Sequence, residues 1–126
     1  MKNSLIFFAL AGSFLLTQSL GLAHHGSAGY NNKEVVTVTG IATEFQFVNP
    51  HCIISLNVKD AKGEVQKWQG ELTSPNHLVR AGWKSNSIKE GDQVTLTGWR
   101  ATSGSPALRI TKTRVNGQEL KTDVGD

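Results

Sequence analysis

Short segments in which apolar and polar residues alternate constrain the fold more than any other feature of this chain. In "HCIISLNVKD", Cys52 and every second residue up to Val58 are apolar. Because successive side chains of a strand point to opposite faces, this spacing predicts a strand with one buried face. The same alternation recurs in residues 64–72, 93–99 and 107–115. The chain is therefore expected to be built mainly of half-buried strands.

The first strand is predicted to be long and to change its buried face midway. In "EVVTVTGIATEFQFVNP", Val36 and Val38 share one face, whereas Ile41 and Phe45 continue at period two on the other. The change of side falls at Gly40, and a glycine at such a point indicates a bulge or a sharp coil. Proline cannot donate a ladder hydrogen bond, so Asn49-Pro50 is expected to end the strand.

One helix signal interrupts the strands. In "TSPNHLVRAGW", Ser74 can cap a helix, Pro75 suits its first position, and Gly82 suits its end. These residues predict a helix of about two turns between the third and fourth strands, with Leu78 toward the core. The order predicts an all-β protein with one short helix, arranged as a five-stranded OB-fold-like barrel. A plain β-sandwich is the alternative.

An apolar run near the start of the chain predicts a secretory signal peptide. Lys2 precedes Leu5–Leu16, which carries no charge and is shorter than the roughly 20 residues that a spanning helix needs. Small residues at Gly21 and Ala23 place the expected cut between Ala23 and His24, and a second candidate cut follows Gly21. An uncleaved anchor is the alternative. We therefore expect a periplasmic or secreted protein without a membrane span after processing.

The expected organisation is a removed signal peptide at 1–23, a flexible N-terminal arm at 24–33, an OB-like barrel at 34–121 and a tail at 122–126. Removal of the signal peptide takes Lys2 with it and leaves 12 basic against 10 acidic residues, a net charge of +2. This weak and scattered charge argues against a nucleic-acid partner. The chain has no glycine-rich phosphate loop, no CxxC pair and no serine with an arranged base, so we expect no enzymatic activity.

Two adjacent histidines would open the processed chain. The α-amine and the ring Nδ1 of His24 can chelate one ion, because an α-amine with a pKa of roughly 7.7–8.0 loses its proton easily near neutral pH. The Asn-Pro-His turn places His51 between the first two strands, where it can approach the arm. We predict a metal site formed by His24, His25 and His51. Amine and imidazole nitrogens favour copper among the divalent metals.

The second cut would produce a different copper geometry. If the chain began at Leu22, His24 would be its third residue. Its ring, the amine and two deprotonated backbone amides could then hold Cu(II). Both cuts therefore predict a terminus that can bind copper.

Four further residues are candidates for a contribution to the site or its surroundings. His77 is interpreted as a surface residue near a helix start, where the helix dipole disfavours an imidazolium. Cys52 is interpreted as a buried small hydrophobe, with an intermolecular disulfide or a soft metal ligand as alternatives. Glu71 is either an exposed strand carboxylate or an acceptor that supports a ligand histidine. Tyr30 is an anchor candidate for the arm.

A second class of function stays open. Trp68, Trp83 and Trp99 are expected to fill the core and cover its ends. OB barrels also bind ligands on their strands and loops, so the alternative is a module for a peptide, glycan or partner protein without metal. That alternative would depend on exposed residues such as Trp99 and Arg100. A small exported enzyme is a third reading, which no residue constellation motivates.

Several motifs together resemble a known family. They are the histidine pair His24-His25, Asn49-Pro50-His51, Ser74-Pro75-Asn76 and Gly82-Trp83, in this order. Over essentially the whole mature chain, they are similar to a family of small secreted bacterial proteins catalogued as a domain of unknown function. The resemblance implies export and the domain boundaries given above. It implies no activity and no role for Cys52, so the expected function, copper binding for storage, delivery or sensing, follows from the residues.

Overall fold

The structure, a computed structural model, describes residues 26–122. A 3₁₀ turn at Gly26–Gly29 precedes the first strand, and one helix, α1 at Pro75–Arg80, lies between the third and fourth strands. The strands are β1 Tyr30–Gln46, β2 Ile53–Lys59, β3 Val65–Glu71, β4 Gln93–Ala101, β5 Ala107–Val115 and β6 Gln118–Leu120. Among the helices of this range, none has the length and apolar character needed to cross a membrane.

The strands close into a barrel. Neighbours in the order β3-β2-β1-β4-β5-β6 pair antiparallel. A parallel pairing between β3 and β5 then closes the ring, with Gly70 beside Leu108 and Glu71 beside Arg109. The short β6 adds to β5 outside the ring. This arrangement confirms the predicted all-β class with one short helix and the five-stranded OB-fold-like barrel.

The predicted buried faces of β2 and β3 are confirmed. Ile54 and Leu56 of β2 are almost completely buried, as is the preceding Cys52. Trp68 of β3 is 7% exposed, and it packs in the same core. Gly70 of β3 packs closely against the neighbouring strands of the barrel. A Cβ added there would lie 2.6 Å from side-chain atoms of Leu96 in β4 and of Ile110 in β5. The core therefore depends on a small residue at this place.

The predicted bulge at Gly40 is wrong in its position. The register of β1 on β2 shifts between Ala42 and Glu44, so the extra residue is Thr43. Ile41, expected on the same face as the phenylalanines, is 48% exposed. Gly40 has a different role, because an added Cβ would collide with the backbone carbonyl of Asn57 in β2. Gly40 therefore permits the close approach of β1 and β2. The bulge, and with it the change of buried face, lies at Thr43, three residues later than predicted.

The helix and turn signals are largely confirmed. Pro75 begins α1, Leu78 is fully buried, and Gly82 follows the helix with a φ of +94°. Ser74 occupies the cap position without a side-chain capping bond. Asn116 and Gly117 both have positive φ, which is the conformation of a tight hairpin turn between β5 and β6.

The N-terminal segment is more regular than expected. β1 begins at Tyr30, and so it includes residues 30–33 of the predicted flexible arm. The strand pairs with the end of β4, where Tyr30 lies beside Ala101. This pairing fixes the place at which the preceding segment meets the barrel.

Candidate metal centre

The predicted ligand histidines are only partly within the described residues. His24 and His25 lie outside residues 26–122. His51 follows Asn49-Pro50 in the β1–β2 loop, and its side chain is 31% exposed. His77 is exposed on α1, as predicted. His51 is therefore the residue from which the geometry of a site can be built.

The polar side chains around His51 contact a single carboxylate, that of Glu71. His51 Nδ1 lies 2.5 Å from Glu71 Oε1. Arg109 Nη1 donates to the same oxygen at 3.1 Å, and the Tyr30 hydroxyl donates to Glu71 Oε2 at 2.6 Å. We call Tyr30, His51, Glu71 and Arg109 the Glu71 cluster. Of the two readings of Glu71, the one in which it supports a histidine matches this geometry.

The barrel closure explains why these four residues meet. Glu71 is the last residue of β3, and it is aligned with Arg109 where β3 and β5 pair in parallel. The next residue is Leu72, whose backbone N–H donates to the Cys52 carbonyl oxygen. The backbone N–H of Cys52 in turn donates to the Thr73 carbonyl oxygen. These two backbone bonds hold the His51 loop against the end of β3. The cluster therefore lies where the ring of strands closes.

Arg109 was not among the residues singled out from sequence. It lies between the buried Leu108 and Ile110, so alternation alone places its side chain outside the core. Its guanidinium also donates from Nη1 to the Leu72 carbonyl oxygen at 3.1 Å. The strand order of the OB fold could have identified Arg109, because it places the end of β3 beside β5. A guanidinium close to a carboxylate is a strong, charge-assisted partner.

Tyr30 attaches the start of β1 to the same cluster. Burial, and next its bond to Glu71, raise the pKa of the Tyr30 phenol above its ordinary range. The phenol is therefore a stable hydrogen-bond donor at neutral pH. One residue earlier, the Gly29 carbonyl oxygen accepts bonds from Thr102 N at 3.0 Å and from Thr102 Oγ1 at 3.1 Å. The expectation that Tyr30 anchors the arm agrees with these contacts.

The orientation of the His51 ring determines which of its nitrogens can bind an ion. At 2.5 Å, two unshared electron pairs would repel, so we expect the ring proton of His51 to be on Nδ1, beside Glu71 Oε1. In a neutral imidazole the other nitrogen, Nε2, then carries the free lone pair. In metal sites, a carboxylate commonly accepts the ring proton that a ligand histidine carries on its other nitrogen.

A cleft lies beside the cluster. It has a volume of about 370 Å³, and Tyr30 and Glu71 form one of its walls. The β4–β5 loop forms another wall, with the hydroxyl side chains of Thr102, Ser103 and Ser105. A cleft of this size is at the lower end of the range for small-molecule sites.

The remaining metal candidate, Cys52, has its side chain in the core and not in the cluster. Cys52 is 0% exposed and is a free thiol in the core, which matches its interpretation as a small hydrophobe. Burial raises the pKa of this thiol. Within residues 26–122, no three His, Cys, Asp or Glu side chains form a group that could hold a metal ion. The site predicted from sequence takes His24 and His25 from outside that range.

The residues proposed for a metal-free binding surface are mostly engaged. The Arg100 guanidinium lies 5.2 Å from the centre of the Trp68 ring, and its Nη2 donates to the Gly104 carbonyl oxygen at 3.1 Å. Trp99 is half-buried. Arg100 therefore covers one end of the core and holds the β4–β5 loop, and it is half-buried like Trp99.

The family comparison agrees with the resemblance seen in the motifs. The model of a family described as "Family of unknown function (DUF6152)" matches residues 14–108 of the chain. The match covers well over half of the 126 residues. A search of curated proteins finds no match.

Two solved structures are similar at low identity. The mitochondrial single-stranded DNA binding protein Rim1 of S. cerevisiae is 12% identical, over 65% of this chain and 92% of that chain, with a TM-score of 0.49. The ZRD-deleted mutant of TiaS in complex with agmatine is also 12% identical with a TM-score of 0.49, over 76% of this chain. The chain spans only 24% of the TiaS chain.

Proposed function

We propose that this chain, which belongs to the family of unknown function DUF6152, is an exported protein that binds one metal ion. Copper is the best candidate, and the ligands are His24, His25 and His51. The observation that supports this proposal most is that Tyr30 and His51 contact the two oxygens of one carboxylate, Glu71. The start of β1 is thereby held beside the His51 ring.

Chain length allows the N-terminal histidines to reach that ring. His24 is six residues before Tyr30, and an extended chain spans at most about 3.3–3.6 Å per residue, or roughly 20 Å in all. The 3₁₀ turn at Gly26–Gly29 shortens this reach, since its rise is about 2 Å per residue. Gly29 and Tyr30 are tied to the barrel, so His25 lies only four residues from a fixed point next to the cluster.

The donor set favours copper. His24 would supply its α-amine and Nδ1, His51 would supply Nε2, and His25 would be a fourth ligand or a substitute. Nitrogen-rich, tetragonal sites suit Cu(II), which also heads the affinity order of the divalent first-row metals. His51 Nε2 is the nitrogen that the contact with Glu71 leaves free, so one ligand is orientated before the ion arrives.

The biological role would be storage, delivery or sensing of the ion in the periplasm or outside the cell. Removal of residues 1–23 is required, because it creates the α-amine on His24. A periplasmic partner protein would take up or supply the metal. The proposal includes binding and transfer of the ion and no catalytic step.

Copper titration of the processed protein tests this function. The intact mass of protein purified from the periplasm is first measured by mass spectrometry. Its Cu(II) affinity is then measured by competition with a chelator. We expect His24→Ala and His51→Ala each to weaken binding by at least about tenfold, which corresponds to roughly 1.4 kcal/mol. His77→Ala is the matched control, because His77 is exposed on α1. Unchanged affinity in both site variants would refute the proposal.

The cleft supports a second candidate, a module that binds a small polar ligand or peptide without metal. Ser105 lines this cleft, so a bulky residue in its place would occupy part of the volume. This candidate predicts that Ser105→Trp abolishes binding to one member of a panel of glycans and peptides, whereas His51→Ala does not. Loss of copper binding in His51→Ala together with no panel ligand would decide for the metal site.

A further inference from the structure

We infer that Glu71 is a positioning residue for His51, that it does not itself bind the ion, and that it thereby restricts the centre to metals that prefer nitrogen. This inference rests on the proposed function and concerns the same site. It adds a residue that determines the orientation of one ligand and the class of ion accepted. Its evidence is the set of partners around the two Glu71 oxygens.

The carboxylate of Glu71 is already occupied by donors. Oε1 contacts His51 Nδ1 and accepts from Arg109 Nη1, and Oε2 accepts from the Tyr30 hydroxyl. A carboxylate has about four lone-pair positions, so three of them are used. The side chain is only 19% exposed, which leaves little access for water to replace a lost partner. Direct coordination by Glu71 would break at least one of these contacts.

The donors hold the carboxylate from three directions. Arg109 is aligned with Glu71 across the parallel β3–β5 pair, and the same nitrogen also donates to the Leu72 carbonyl oxygen. Tyr30 approaches from the first residue of β1. Because the donors belong to different strands, rotation of the carboxylate toward an ion would break its contacts with β1 and β5. His51 is the one partner that comes from a loop.

This arrangement determines how His51 meets the ion. Nδ1 is the ring nitrogen beside Glu71, so a proton held there leaves the lone pair of Nε2 for an ion. A nearby carboxylate also raises the electron density of the imidazole and makes it a better ligand. The Arg109 charge is neutralised by Glu71, so it does not oppose an incoming cation as an isolated guanidinium would.

The same arrangement disfavours hard cations. Ca²⁺ and Mg²⁺ take mainly oxygen ligands, and the carboxylate nearest to His51 is engaged by its three partners. The ligands that remain in the proposal are amine and imidazole nitrogens, which suit copper, nickel and zinc. The centre is therefore expected to discriminate against Ca²⁺ and Mg²⁺ without any steric filter.

The first test needs no metal. Nitrogen NMR of the histidine rings, recorded on metal-free protein at about pH 8.5, where an ordinary imidazole is neutral, reports which nitrogen carries the proton. We expect His51 to carry it on Nδ1 in the native protein and to change toward a mixture in Glu71→Ala, while His77 stays the same in both. A native His51 ring with its proton on Nε2 would overturn the inference, whatever the protein does with copper.

The second test measures metal affinity in the processed protein. We expect Cu(II) binding to weaken about 10- to 100-fold in Glu71→Ala, with no rise in Ca²⁺ or Mg²⁺ binding. Glu71→Gln keeps the size of the side chain and is the second variant in case Glu71→Ala fails to fold; it is expected to weaken binding less. Glu44→Ala, an exposed glutamate on β1, is the matched control.

The two tests separate the inference from the proposed function. Native affinity in both Glu71 variants would overturn the positioning role. If instead His24→Ala and His51→Ala bind copper as the native protein does, the proposed function fails, and the ring NMR still decides whether Glu71 orientates His51.

Discussion

The Tyr30 hydroxyl donates a 2.6 Å hydrogen bond to Glu71 Oε2, although the two residues are 41 positions apart in the chain. The bond joins the first residue of β1 to the last residue of β3. Because His51 contacts the other oxygen of the same carboxylate, the bond also sets the distance between the N-terminal segment and the His51 loop. The metal-site proposal depends on this relationship.

Removal of the Tyr30 hydroxyl is expected to loosen the start of β1. Hydrogen bonds to charged groups contribute roughly 1.5–3 kcal/mol, and partial exposure of this pair reduces the value for Tyr30→Phe to about 1 kcal/mol. Urea unfolding followed by tryptophan fluorescence measures the difference. The variant should also bind copper more weakly than native protein. A variant with native stability and native copper affinity would show that Tyr30 anchors nothing.

Alkaline titration tests the environment of the same phenol. The chain has one tyrosine, so tyrosinate absorbance reports Tyr30 alone. Burial, followed by the bond to Glu71, raises its pKa above the ordinary value of about 10. The stability that the neutral phenol contributes is present below pH about 10. It is lost as the pH rises through the folded pKa, because the unfolded chain releases its proton first.

The experiment has an internal comparison. Unfolded protein in urea should form tyrosinate near pH 10, and folded protein should form it at a higher pH. Glu71→Gln should move the folded transition downward, since it removes the second cause of the raised pKa. Coincident folded and unfolded titrations would contradict the placement of Tyr30 against Glu71.

The thiol of Cys52 should be inert in the folded protein. It is fully buried, and burial raises its pKa, so little reactive thiolate is present. We expect an aromatic disulfide reagent to modify no thiol in native protein and one thiol per chain after unfolding in urea. Non-reducing electrophoresis should find no cross-linked dimer. Rapid modification of native protein would restore the alternatives of a disulfide or a soft metal ligand.

The β4–β5 pairing behind the cluster should tolerate no side chain at Gly98. An added Cβ would fall on the carbonyl oxygen of Arg109. Gly98→Ala must push β5 away from β4, which we expect to cost about 1–3 kcal/mol or more in unfolding free energy. Gly29→Ala is the control, because nothing lies within 4 Å of an added Cβ there. Equal stability of the two variants would contradict the close approach of the strands.

Local pattern was enough to predict most of the fold. Alternation identified the buried face from Cys52 to Val58, and the Ser74-Pro75 signal identified the helix, because both features depend on neighbouring residues. Gly40 misled the prediction, since a glycine required by an approaching strand has the same local pattern as one in a bulge. Only the position of β2 distinguishes the two.

The candidate site was predictable to a smaller extent. His51 and a supporting role for Glu71 were proposed from the turn and the strand end. Arg109 was missed because its contact with Glu71 arises from the parallel β3–β5 closure, and its own segment gives no sign of it. Non-local pairing of this kind becomes visible only when the strand order of the whole barrel is applied to individual residues.

Paramagnetic NMR with one equivalent of Cu(II) tests the central claim most directly, because a bound Cu(II) ion broadens the signals of nearby nuclei. On processed protein, the account predicts selective loss of the signals of His51, Tyr30 and Glu71 together with those of the N-terminal histidines, while the signals of Asn116, beyond the other end of β5 from Arg109, stay sharp. If the N-terminal signals vanish while those of His51 remain, the two parts do not share one ion, and the account is contradicted.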